Sequence, residues 1–159
     1  MIYYQSGSEN TVIGPESLEH GLFSALDKIG QKKKVLVIPP DFTRFHSRAG
    51  DITCLLYKYY RENLKDILPA IGTHVAMTDE QLDEMFPGVP KELFRVHDWR
   101  KDVVTVGTVP GEFISEITGG ALDYPWPAQL NKLVCYGGHD LILSVGQVVP
   151  HEVIGMVNA

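Results

Sequence analysis

Val35-Leu36-Val37-Ile38-Pro39-Pro40-Asp41-Phe42-Thr43-Arg44-Phe45-His46-Ser47-Arg48 is the stretch whose reading decides the fold. Four apolar residues in a row read as a buried strand. The double proline ends it, because proline donates no ladder hydrogen bond and fixes its own φ. A carboxylate, a guanidinium and an imidazole follow at once. In an open α/β sheet, ligands bind outside the carboxyl ends of the strands. The loop from Asp41 to Arg48 is therefore a candidate for holding a carboxylate or a phosphate.

Working outward, Leu18, Leu22, Ala25, Leu26 and Ile29 recur at helical spacing before this strand. Ser17 is the candidate N-cap and Gly30 the stop. After the loop, Ile52, Leu55, Leu56 and Tyr59 form the stripe of a second helix, with Ser47 or Asp51 as its cap. Ile67, Leu68, Ala70 and Ile71 make a second apolar run, interrupted by Pro69, that ends in Gly72-Thr73-His74. Thr78-Asp79-Glu80-Gln81 then has the form of a capping box, with Pro87-Gly88 ending the helix it opens.

Further along, 93–96 and 103–109 read as strands. Phe113, Ile114 and Ile117 suggest another, and 124–127 an ordered crossing loop. Residues 141–149 read as one buried run leading into Pro150-His151-Glu152. Strands alternating with helices predict an α/β fold: a mostly parallel, Rossmann-like sheet with flanking helices, and an antiparallel departure over 93–109. At 159 residues the chain suits one such domain over 1–159.

Composition narrows the function. Apolar content of 44% and charged content of 21% are those of an ordinary globular protein. A formal charge of −6 argues against a nucleic-acid partner, which needs a basic face. Lys32, Lys33 and Lys34 read as a solvated loop. No apolar run approaches a membrane span, and the N-terminus lacks the basic and apolar regions of a signal peptide. Cys54 and Cys135 are far apart among apolar residues, which suggests reduced, buried thiols and a cytoplasmic protein.

One pattern recurs three times: a buried strand ends and a polar cluster follows. The clusters are Asp41-x-Thr43-Arg44, Gly72-Thr73-His74 and Pro150-His151-Glu152. Taken singly, each has a plain structural reading, with Asp41 capping its turn, Arg44 pairing with it, and each histidine a hydrogen-bonding group. On parallel strands, however, all three share one sheet edge, the arrangement of an acid–base site for a small anion. The six histidines include no H-x-x-x-H pair, no thiolate pair exists, and no G-x-G-x-x-G follows the first strand. A metal held wholly by this chain and a conventional dinucleotide site are both disfavoured.

In order, Asp41-Phe42-Thr43-Arg44, Gly72-Thr73-His74 with Met77-Thr78-Asp79-Glu80, His97-Asp98 and Pro150-His151-Glu152-Val153-Ile154-Gly155 resemble the motifs of the nickel-pincer-nucleotide lactate racemases and related 2-hydroxyacid racemases and epimerases. The resemblance spans nearly the whole chain and implies an isomerase. It implies that hydride from the substrate passes to a nickel-bound pyridinium cofactor (Ni-pyridinium-3,5-bisthiocarboxylic acid mononucleotide), and that a planar 2-keto acid takes it back on either face. It further implies His74 and His151 as the two proton-transferring bases, for which imidazole with its ordinary pKa of ~6.5 is suited. Arg44 is implied as the carboxylate contact, and Asp41 and Thr43 as substrate- or cofactor-binding groups.

Three departures stand out. Phe45 replaces the usual proline, Val75 replaces an arginine, and the chain stops at Gly155-Met156-Val157-Asn158-Ala159. The family's cofactor-attaching lysine and nickel-ligating histidine lie beyond that point. The resemblance thus implies an N-terminal domain of a longer two-domain enzyme, inactive alone, with a small 2-hydroxy acid and a C-terminal domain as partners. The competing expectation is a non-catalytic α/β module binding phosphate or carboxylate through Arg44, Arg48 and a helix N-terminus.

Overall fold

A computed structural model describes residues 1–151 and 155–158, of which the side chains of His151, Val157 and Asn158 are not described. The chain forms two compact units, one of residues 1–96 with 139–159 and one of residues 97–138.

The first unit is built on a parallel sheet. Its central strand is β1 (Val35–Ile38), flanked by β2 (Leu64–Ile67) and by β5 (Leu141–Ser144). The double proline ends β1 as expected, yet Pro39 still accepts where it cannot donate. Ala70 N–H donates to the Pro39 carbonyl at 2.7 Å, and Pro40 bridges Ala70 in parallel. The chains leaving β1 and β2 are thereby tied together beyond the sheet. A further parallel rung joins Ile67 to Phe94, so the 93–96 segment contributes one bridge after a short 3-10 turn and not a full strand.

A bulge in β2 governs which side chains meet the core. Val35 pairs with Leu64 and Leu36 with Asp66, so Lys65 is the extra residue. Leu64 and Ile67 then share the face of Val35 and Val37, while Asp66 joins Leu36 on the other. The first face packs on α1 (Pro15–Ile29), α2 (Ala49–Tyr60) and α3 (Asp79–Met85) through Leu26, Leu56, Tyr60, Met85 and Phe86, all buried.

Each helix end has a local cause. α1 starts at Pro15 behind Gly14, three residues earlier than a Ser17 cap predicts, because proline is pre-organised for the first helical position. α2 is entered through Arg48 in the left-handed region at φ 64°, so neither Ser47 nor Asp51 is its N-cap residue. α3 carries the predicted box: Thr78 Oγ1 accepts from Gln81 N–H, and Gln81 Oε1 accepts from Thr78 N–H at 3.0 Å.

Two further expectations are corrected. The run 141–149 is broken: β5 ends at Ser144, and β6 (Val148–His151) pairs antiparallel with β7 (Gly155–Asn158) in a separate two-stranded sheet. Cys54 and Cys135 are free but only half-buried. Burial and the nearby Asp51 charge push the Cys54 thiol up to about 11, so it stays protonated.

The second unit pairs β3 (Val103–Val109) with β4 (Trp126–Asn131) in an antiparallel ribbon, and adds α4 (Gly111–Ile117) and α5 (Lys132–Tyr136). The antiparallel departure is present. The expected strand through Phe113 is instead α4, and Trp126 and Pro127 belong to β4, not to a crossing loop. Among the described residues, no helix is long and apolar enough to cross a membrane.

Candidate acid–base site

Two loops meet at the carboxyl edge of the adjacent strands β1 and β2. The first begins at Asp41, whose carboxylate caps the 3-10 turn Phe42–Ser47: Oδ1 accepts from the Thr43 amide at 3.0 Å and from the Thr43 hydroxyl. The second turns at Gly72, where φ of 56° suits glycine, and His74 N–H donates to the Ile71 carbonyl at 2.8 Å. The turn delivers the His74 ring to Asp41. His74 Nδ1 lies 2.6 Å from Asp41 Oδ2.

The pair is asymmetric. The Asp41 side chain is 8% exposed and that of His74 59%. Burial raises the Asp41 carboxyl, but hydrogen bonds from the Thr43 hydroxyl, the His74 ring and the Thr43 amide outweigh it, leaving Asp41 below the usual carboxylate range. An ionised carboxylate only accepts, so Nδ1 carries the proton in the bond to Asp41. In the neutral ring Nε2 is then the free lone pair, the form a general base requires.

An open cleft of about 330 Å³ surrounds the pair. Its walls are Phe42, Val75 and Met77 on the apolar side, with Asp41, Thr43, His74 and Gln81 as the polar groups. The structure thus brings together Asp41, Thr43 and His74 from the candidates named by sequence. Arg44, next in the same turn, is exposed and has no ion-pair partner among the described residues; its backbone N–H donates to the Asp41 carbonyl at 3.1 Å. The expected Asp41–Arg44 side-chain pairing is replaced by Asp41–His74. Arg48 is engaged by Asp51 at 2.8 Å, which removes it from a free anion site.

The backbone of His151 closes β6 and pairs with Gly155, so its strand is not in the parallel sheet. Its side chain and residues 152–154 and 159 lie outside the described residues. In the second unit, Asn131 donates from its amide to His97 Nδ1 at 2.8 Å, and Asp98 caps a turn through Arg100 N–H at 2.9 Å.

Sequence reasoning missed a second charged cluster. Asp66, turned to the far face by the bulge, accepts from Arg95 Nε at 2.7 Å and from His139 Nε2 at 2.8 Å. The His139 side chain is fully enclosed, and among the described residues its Nδ1 has no hydrogen-bond partner. Burial pushes the Asp66 carboxyl up, and the bonds from His139 and Arg95 more than reverse this. Gln81 was read only as a capping residue. Its place in the cleft follows from α3 starting beside His74, which no local pattern announces.

No protein-family model matches the chain, and no curated protein matches it. Among solved structures, the lactate racemase apoprotein from Thermoanaerobacterium thermosaccharolyticum shares the fold. The TM-score is 0.54 at 23% sequence identity, over 90% of this chain. The chain spans 30% of that protein's length.

Proposed function

We propose that this chain is the substrate-binding, proton-transferring part of a 2-hydroxyacid racemase or epimerase. The observation that carries the reading is the 2.6 Å bond from His74 Nδ1 to Asp41 Oδ2 at the carboxyl edge of two adjacent parallel strands. The likeness of fold to a lactate racemase apoprotein supports it, as does the ordered set of motifs.

Each residue has a part that its own chemistry supports. Asp41 holds His74 in the tautomer with Nε2 free, and Thr43 holds Asp41. Nε2 accepts the proton of the substrate hydroxyl as that oxygen becomes a carbonyl, and returns it on reversal. Arg44 offers a planar fork to the substrate carboxylate. His151 serves the opposite face of the substrate on this reading.

Racemisation also needs an acceptor for the hydrogen on carbon 2. The nickel-pincer nucleotide implied by the motifs would supply it, while the described residues include no cluster of three His, Cys, Asp or Glu side chains able to hold a metal ion unaided. The reading therefore assigns the cofactor to a further domain, and to this chain only binding and proton transfer.

The test is titration of the chain with L-lactate, D-lactate and propionate, following the His74 ring by NMR. Both lactates should shift the His74 resonances more than propionate, which lacks the hydroxyl, and Arg44→Ala should weaken all three. Equal shifts from propionate and lactate, or a response to phosphate alone, would favour the non-catalytic anion-binding module.

A further inference from the structure

We infer that the cleft at His74 takes 2-hydroxy acids with a bulky apolar side chain, branched or aromatic, in preference to lactate with its methyl group. The inference rests on the proposed hydroxyacid chemistry and names the substrate class of that same site.

The polar groups of the cleft are nearly all committed. Asp41 is used by Thr43 and His74, and the Gln81 carbonyl is used by the Thr78 amide. In the cleft lining this leaves His74 Nε2 and the Gln81 side-chain NH2 to meet a ligand, with Arg44 beyond the lining for its carboxylate. The remaining wall is Phe42, Val75 and Met77. Val75 follows His74 directly and is 88% exposed. Phe45, 45% exposed, meets Phe42 in a tilted arrangement with ring centroids 5.2 Å apart and extends the same apolar surface.

Few polar groups set in an apolar wall is the usual make-up of a small-molecule site. Its volume of about 330 Å³ falls at the lower end of the range that encloses drug-sized ligands. A six-heavy-atom acid such as lactate would leave much of the wall wet. A side chain reaching Val75 and Met77 would cover surface that is otherwise exposed to water.

The experiment compares L-phenyllactate with L-lactate on the full chain, reading each Kd from the His74 ring resonances. Phenyllactate should bind at least about tenfold more tightly, the scale on which apolar pockets discriminate. Val75→Ser and Met77→Ser should each bring that ratio towards one. Val75 is exposed, so its variant tests the wall without loss of fold. A ratio at or below one, or a ratio unmoved in both variants, overturns the inference while lactate-induced shifts preserve the hydroxyacid reading. No shift of His74 with either acid overturns both.

Discussion

Asp41 and His74 stand 33 residues apart in sequence and 2.6 Å apart in space. The Pro39–Ala70 hydrogen bond and the Pro40–Ala70 bridge align the two loops that carry them. The bond is a product of sheet register, and its consequences can be measured.

Asp41→Asn keeps the shape but offers an amide that can donate to Nδ1, which favours the opposite tautomer. Nitrogen-15 NMR of the His74 ring should show protonated Nδ1 in the parent and protonated Nε2 in the variant. In the cofactor-bearing enzyme, proton transfer should fall by on the order of 10²–10⁴, the usual worth of general acid–base catalysis.

The Asp41 and Asp66 carboxyls are both lowered in the fold from an ordinary value of 3.8: burial opposes ionisation, and the bonds from Thr43 and His74, or from His139 and Arg95, prevail. A lowered folded-state pKa means that the unfolded chain binds protons first as pH falls. Their stabilisation is complete above about pH 4 and is lost as pH drops through the folded-state values. Urea unfolding from pH 6 down to pH 2.5 should show this decline, and Asp41→Asn with Asp66→Asn should flatten it.

Arg95 and His139 act on one carboxylate, so their removals should not add. A double-mutant cycle of Arg95→Ala and His139→Ala should give a coupling energy of about 0.5–3 kcal/mol in chemical denaturation. Additive losses would mean that Asp66 does not link them.

Gly50 sits in the first turn of α2, where a Cβ would overlap the Met85 carbonyl oxygen. Helix propensity alone favours alanine by about 1 kcal/mol. Overpacking against backbone should outweigh it, at about 1–3 kcal/mol. Gly50→Ala should therefore lower the unfolding midpoint, whereas a propensity-dominated helix would show a rise.

The parts of the chain that declare themselves locally were legible. Val35–Ile38 is a strand bounded by prolines, and Thr78 with Gln81 is a box whose spacing alone specifies its bonds. Phe113, Ile114 and Ile117 were misread because a short apolar set fits either period; the 113/117 spacing is helical, and Pro110 opens α4. The break between β5 and β6 was hidden because 145–147 interrupt neither hydrophobicity nor length strongly. For the site, the residue types were readable and their pairing was not. Which group Asp41 would grip depended on a neighbouring strand, and the Asp66 cluster on a bulge that turns one side chain over.

The paired prolines at the end of β1 also bear on how such a site changes over generations. The Pro39 carbonyl ties the strand exit to its neighbour while the two ring nitrogens ask for nothing in return. The exposed residues of the turn that follows, Arg44, Phe45 and His46, can then be rewritten without unpicking the sheet. That short exposed stretch is in this sense an exchangeable cassette, in which new ligand preferences can be tried at little risk to the scaffold.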